Sequence, residues 1–197
     1  MYKKQLVFQK FACLFSVIAA AVSFVYSLGL MTDIYDSLYS TMRNPNNLLD
    51  TPVSGSIIYY DMQAFNKTLL YLSIGLILLG CLLFITNTHI RRKYYVGNYV
   101  ATGLYAAATV GVTVWTHIQV EAFKAQYLTT VDFEALREYA DMWKSYYTDS
   151  TFFFDLHYLV AGLGLLAAIG LVGNMIWKIT LMRDENSLLK AGKGAAV

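Results

Sequence analysis

The chain is short of charge, proline and cysteine, and each shortage excludes something. Charged residues make up 14% of its 197 residues and hydrophobic ones 57%, which argues against an ordinary soluble domain. No Asp, Glu, Lys or Arg lies deep in any of the four long apolar runs. Intramembrane ionisable groups usually mark proton relays and ion routes, so their absence counts against a proton-coupled transporter. The only prolines, Pro45 and Pro52, fall between the first two runs. No run is broken in the way that creates a transporter's substrate site. The only cysteines, Cys13 and Cys81, lie inside runs, so no disulfide framework holds the connecting segments. Both read as small buried apolar side chains. Cystine-free outer segments point to a prokaryotic cytoplasmic membrane. There is no phosphate-binding loop, no catalytic-triad spacing, no thiol pair for redox work and no internal repeat, so the expected role is non-enzymatic.

What is present are four stretches long enough to cross about 30 Å of hydrocarbon, which takes roughly 20 apolar residues. They cover about 8–30, 67–89, 94–118 and 153–177. The first follows Lys3, Lys4 and Lys10 like the start of a signal peptide. Its apolar stretch is longer than a signal core, and Ser23, Tyr26 and Ser27 make no clean cleavage site, so it is expected to stay as a span. Charges sort by side. The amino terminus, the 90–94 link and the tail hold ten cations against Asp184 and Glu185. The two longer links hold five cations against eleven acids. Lys- and Arg-rich short loops stay in the cytoplasm, so both termini are expected inside. Segments 31–66 and 119–152 are then extracytoplasmic, and 179–197 is a cytoplasmic tail expected to be mobile. The basic clusters beside the spans serve orientation and anionic headgroups. Nothing points to nucleic acid.

Helical spacing carries beyond the spans. Met31, Ile34, Tyr35, Leu38 and Met42 continue the first stripe to about Arg43, where Asn44–Pro45 breaks it. Ile58, Met62, Phe65 and Leu69 share a face, so a second helix begins near Ser56. The third run continues through Ala125 to an interruption at Thr129–Thr130. Asp132 is placed to cap an amphipathic helix over 133–147. The short 90–94 link forces an antiparallel hairpin. The expected fold is all-α: a polytopic four-transmembrane-helix bundle with an extracytoplasmic helical extension.

Several features bear on function. The outer segments are rich in aromatic residues, which are enriched in binding hot spots. Tyr35, Tyr39, Tyr59, Tyr60, Trp143 and Tyr147 are the candidate partner-binding residues. Small residues recur four apart: Ser16/Ala20 and Ala19/Ser23/Ser27 in the first run, Gly103/Ala107/Gly111 in the third and Gly164/Ala168 in the fourth. Such faces let helix backbones approach closely, within one bundle or between subunits. Thr102, Thr109, Thr113 and Thr116 give the third run a mildly polar side. His117 with Glu121, and His157 with Asp155, stand near the same outer boundary. Imidazoles and carboxylates suit a divalent transition metal, and two facing histidines suit a haem.

The expected function is a non-catalytic accessory or scaffold subunit of a larger membrane complex. Its partners are the lipid bilayer and another membrane protein or a second copy of itself. A small oligomeric channel with the threonines lining its pore, and a metal- or haem-binding membrane protein using His117 and His157, are the alternatives.

Overall fold

The computed structural model describes residues 2–29, 52–88, 95–144 and 147–194. Helix α1 covers Tyr2–Gly29, α2 Ile58–Thr88, α3 Tyr95–Thr130, α4 Phe133–Trp143 and α5 Phe152–Gly194. No strand occurs among the described residues, so the all-α expectation holds. The four long helices form a ring in which α1 packs on α2 and α5, and α3 packs on α2 and α5. At 1.5 Å per residue the 43-residue α5 is about 64 Å long, well beyond the thickness of the hydrocarbon.

Three helices are long and apolar enough to cross a membrane: Lys3–Gly29, Ile58–Asn87 and Phe152–Glu185. Their outward faces carry large exposed apolar side chains, among them Phe11, Leu78, Ile85, Leu166 and Ile169. A band of this kind marks a surface for lipid or for another protein. Helix α3 has a similar outward row in Val100, Leu104, Val114 and Ile118. Interleaved glycines, threonines and tyrosines dilute its hydropathy, and it does not reach the same standard.

Two buried clusters hold the bundle. At one end, the cap, Tyr26, Ile58, Tyr59, Met62, Phe65, Tyr127, Leu136 and Phe154 interlock. Tyr127 is the hub. Its ring meets Tyr59 at 6.4 Å, Phe133 at 5.1 Å and Phe154 at 5.2 Å between centroids. Towards the other end, where both termini lie, the core is built of smaller residues such as Ala12, Cys13, Ala101 and Ala167, with Leu83, Leu171 and Tyr105.

Local chemistry sets the cap's turns. Asp132 accepts from the backbone N–H of Glu134 and Ala135 at 3.1 and 3.0 Å, which satisfies two otherwise orphaned donors and starts α4. Lys144 ends it in the left-handed region at φ 51°, its N–H donating to the Ala140 carbonyl. The expected helix over 133–147 is therefore shorter, because this left-handed turn closes it after Trp143. The strap before α2 turns at Gly55, φ 78°, against the end of α3. A Cβ there would meet the Thr130 carbonyl oxygen at 2.0 Å, so the position requires glycine.

Other expectations change. The tail does not leave the helix near Lys178: α5 continues to Gly194, and Tyr99 on α3 donates to Met182 Sδ at 3.4 Å. Cys13 is buried but Cys81 is exposed on the outward face of α2. The stretch 30–51, with Tyr35 and Tyr39 and the proposed extension of the first helix to Arg43, lies outside the described residues, as does the 89–94 link.

Candidate functional site

Histidines 117 and 157 come together. His117 lies on α3 and His157 on α5, and His117 Nδ1 is 3.0 Å from His157 Nε2. The rings stack at 5.2 Å between centroids, inclined by 30°. His157 is 1% exposed, held beneath the cap, while His117 lies on the surface. Hydrogen bonding fixes the proton positions. The Phe154 carbonyl, 2.6 Å from His157 Nδ1, can only accept, so His157 carries its proton on Nδ1. Its Nε2 is then a lone pair aimed at His117. When both rings are neutral, His117 Nδ1–H donates to it.

Glu121, one helical turn beyond His117, joins the pair. Its Oε1 lies 3.7 Å from His157 Nε2 and accepts a hydrogen bond from the Tyr158 hydroxyl at 2.9 Å. One ligand atom each from His117, Glu121 and His157 lies within 4.8 Å of the others. Asp155 does not belong to this group. It pairs with Lys124 and accepts from the Thr151 hydroxyl at 2.7 Å. Two residues of helix turn its side chain away from that of His157. The pairing raises the Lys124 ammonium above the usual lysine pKa.

The stacked histidines leave no slot for a haem. Two axial nitrogens would have to stand roughly 4 Å apart with a macrocycle between them, whereas these nitrogens are in hydrogen-bond contact. Beneath His157 there is instead a cavity of about 30 Å³, lined by Ser23, Tyr105, Thr109, Thr113 and Thr116 among others. It has room for about two waters. The Thr116 hydroxyl on its wall has no protein partner among the described residues. The threonines of α3 thus face the interior of their own bundle. A ring of protomers with these threonines lining a central pore would have to turn α3 round.

The small-residue faces sort into two kinds. Ser16, Ala19, Ala20, Ser23 and Ser27 on α1, and Ala168 on α5, are buried in the bundle. Gly164 meets Thr109 and Thr113. By contrast, Gly103, Ala107 and Gly111 on α3 are exposed, and a Cβ on either glycine would meet nothing within 4 Å.

Among the expected partner-binding residues, Tyr59 is 1% exposed and packs on Tyr127. It is a core ring, because the face it shares with Met62 and Leu69 turns inward. Tyr60 and Trp143 are exposed, Trp143 at 65% beside Met142 at 73%, and Tyr147 is half-buried.

A polar cluster at the terminal end was missing from the sequence reading. Gln5 Nε2 reaches Gln9 and Asn174 at 2.9 Å each. Gln9 donates to the Asn87 carbonyl at 3.1 Å, and Asn98 donates to the Asn87 side chain. Lys178, only 5% exposed, reaches Asn98 at 3.5 Å. The i, i+4 spacing of Gln5 and Gln9 was the available signal. No protein-family model matches this chain, and comparison with curated proteins and with solved structures finds no match.

Proposed function

We propose that the protein is a four-span integral protein of a prokaryotic cytoplasmic membrane, with both termini inside, and that it works as a non-catalytic accessory or scaffold subunit. Helix α3 is the fourth span. It packs between α2 and α5, and its stretch from Tyr95 to Val120 carries no charge. The partner is another membrane protein. One of its helices docks on the outward face of α3, and the exposed Trp143 and Tyr60 on the cap add contact above the lipid.

The observation that carries this reading is the contrast between buried and exposed small residues. Rows of small residues let backbones meet at close range, where van der Waals contact and lipid release drive association in a bilayer. On α1 and α5 this capacity is used within the bundle. The row Gly103, Ala107 and Gly111 has open space above its glycines and remains available to a further helix. A pore reading has no comparable support, since the polar face of α3 is turned inward.

The glycines also make a clean test. A Cβ at Gly103 or Gly111 meets nothing within 4 Å, so the fold should tolerate leucine there. The complex is extracted gently from its own host's membrane and weighed by native mass spectrometry. A heterologous membrane subunit at fixed stoichiometry, lost in Gly103→Leu/Gly111→Leu with an unchanged melting temperature, is the expected result. A monomer, or a partner retained by the double variant, would refute docking on α3.

A further inference from the structure

We propose that His117, His157 and Glu121 form a binding site for one divalent transition-metal ion of the zinc class. The proposal is independent of the subunit reading: it concerns the mouth between α3 and α5, not the outward face of α3.

The first reason is ligand geometry. Two nitrogens on a tetrahedral Zn²⁺ at 2.0–2.1 Å stand roughly 3.3 Å apart. His117 Nδ1 and His157 Nε2 are already 3.0 Å apart, and the Glu121 carboxylate lies 3.7 Å from the second nitrogen. The ion replaces the hydrogen bond between the rings and sits off the line joining the two nitrogens. His157 needs no change, since its proton is on Nδ1. A neutral His117 moves its own proton from Nδ1 to Nε2, which frees Nδ1 as a ligand.

Orientation supplies the second reason. Metal-binding histidines nearly always donate their other N–H to a carbonyl or carboxylate, which fixes the tautomer and raises ligand basicity. His157 has this arrangement at Phe154. The carboxylate is also held, by Tyr158. Tyr158 is therefore a positioning residue for Glu121, and Asp155 neutralises Lys124, the nearest cation on α3.

The donor set decides the class. Two imidazoles and one carboxylate suit Zn²⁺ and its first-row neighbours, whereas Ca²⁺ and Mg²⁺ prefer all-oxygen shells. Three protein ligands leave a fourth position for water.

The probe is Co²⁺, a spectroscopic stand-in for Zn²⁺, titrated into the full-length detergent-solubilised protein stripped of metal. The expected result is saturation at one ion per chain, with the intense visible bands of a four-coordinate site, displaced by Zn²⁺ but not by Mg²⁺. Because His157 is buried, His157→Ala risks misfolding. The deciding variants are therefore His117→Gln and Glu121→Gln at accessible positions. His117→Gln should abolish the tetrahedral spectrum, and Tyr158→Phe should weaken binding by about 10-fold. Absence of saturable binding, or binding unchanged in His117→Gln, overturns the site.

Discussion

The two ends of the bundle are held by different physics. The cap is packed with large rings: Tyr59, Phe65, Tyr127 and Phe154 are all buried, and Phe65 tilts against Trp115 at 5.1 Å and Phe123 at 5.6 Å. The terminal end has small apolar residues and a web of amides from Gln5, Gln9, Asn87, Asn98 and Asn174. The cap gathers large rings at and beyond the ends of the apolar runs, and burying aromatic area from water is a dominant gain wherever water is the competitor. Between helices in lipid that gain vanishes, because the tails are as apolar as the side chains, and close contact with interhelical hydrogen bonds takes over. One chain thus uses large rings at one end of its bundle and amides with small residues at the other.

The largest expected effect tests the cap. Phe154 is fully enclosed and touches Tyr127. Phe154→Ala should cost about 3–5 kcal/mol, the transfer free energy plus the cavity left behind. Thermal unfolding followed by near-ultraviolet circular dichroism would report it. A loss below about 1 kcal/mol would mean that the aromatic cluster collapses around the gap, and the contrast between the ends would fail.

The amide web should give a smaller effect of a different kind. Asn174→Leu removes one of the two acceptors of the Gln5 amide, whose own oxygen already lacks a partner among the described residues. The expected cost is about 1–2 kcal/mol, from a buried donor left unsatisfied. Exchanging Gln5 and Asn174 together for leucines should restore part of that loss, since it removes the unmatched Gln5 groups and leaves only Gln9 Oε1 short of its donor. A double variant no better than the single one would show that the terminal end relies on polar contacts outside this pair.

How much of this was legible in the sequence depends on the range of the forces involved. Period and capping are local, so Asp132 could be read as the start of α4, and the stripe from Ile58 to Leu69 as the start of α2. The approach of His117 and His157 could only be raised as a condition, that their helices be neighbours. Their hydrogen bond depends on rotation about two helix axes, which spacing does not set. The same rotation separates Tyr59 from Tyr60, one buried and one exposed. The tail's polarity hides its helix, which continues to Gly194 because propagation costs little once α5 is nucleated in the bundle. The amide web was hidden because Gln5 and Gln9 precede or begin the first apolar run, where polar residues look solvated.

The last effect isolates the hub of the cap, and its pH-dependent part is silent at neutral pH. Burial pushes the Tyr127 hydroxyl up to about 12, with Asp149 adding to the shift. In the unfolded chain a tyrosine ionises near 10. Between these values the folded state holds a proton that the unfolded state has lost. Stability must therefore fall as pH rises through this window, and it is unaffected below it. The hydroxyl also donates to the Thr148 carbonyl at 2.8 Å, a bond that the phenolate cannot make. Tyr127→Phe should cost about 1 kcal/mol at pH 7 and flatten the alkaline loss. Unfolding measured from pH 8 to 12 on both proteins separates the two contributions. Parallel alkaline curves for the variant and the parent would place the sensitivity in other tyrosines and leave Tyr127 a packing ring only.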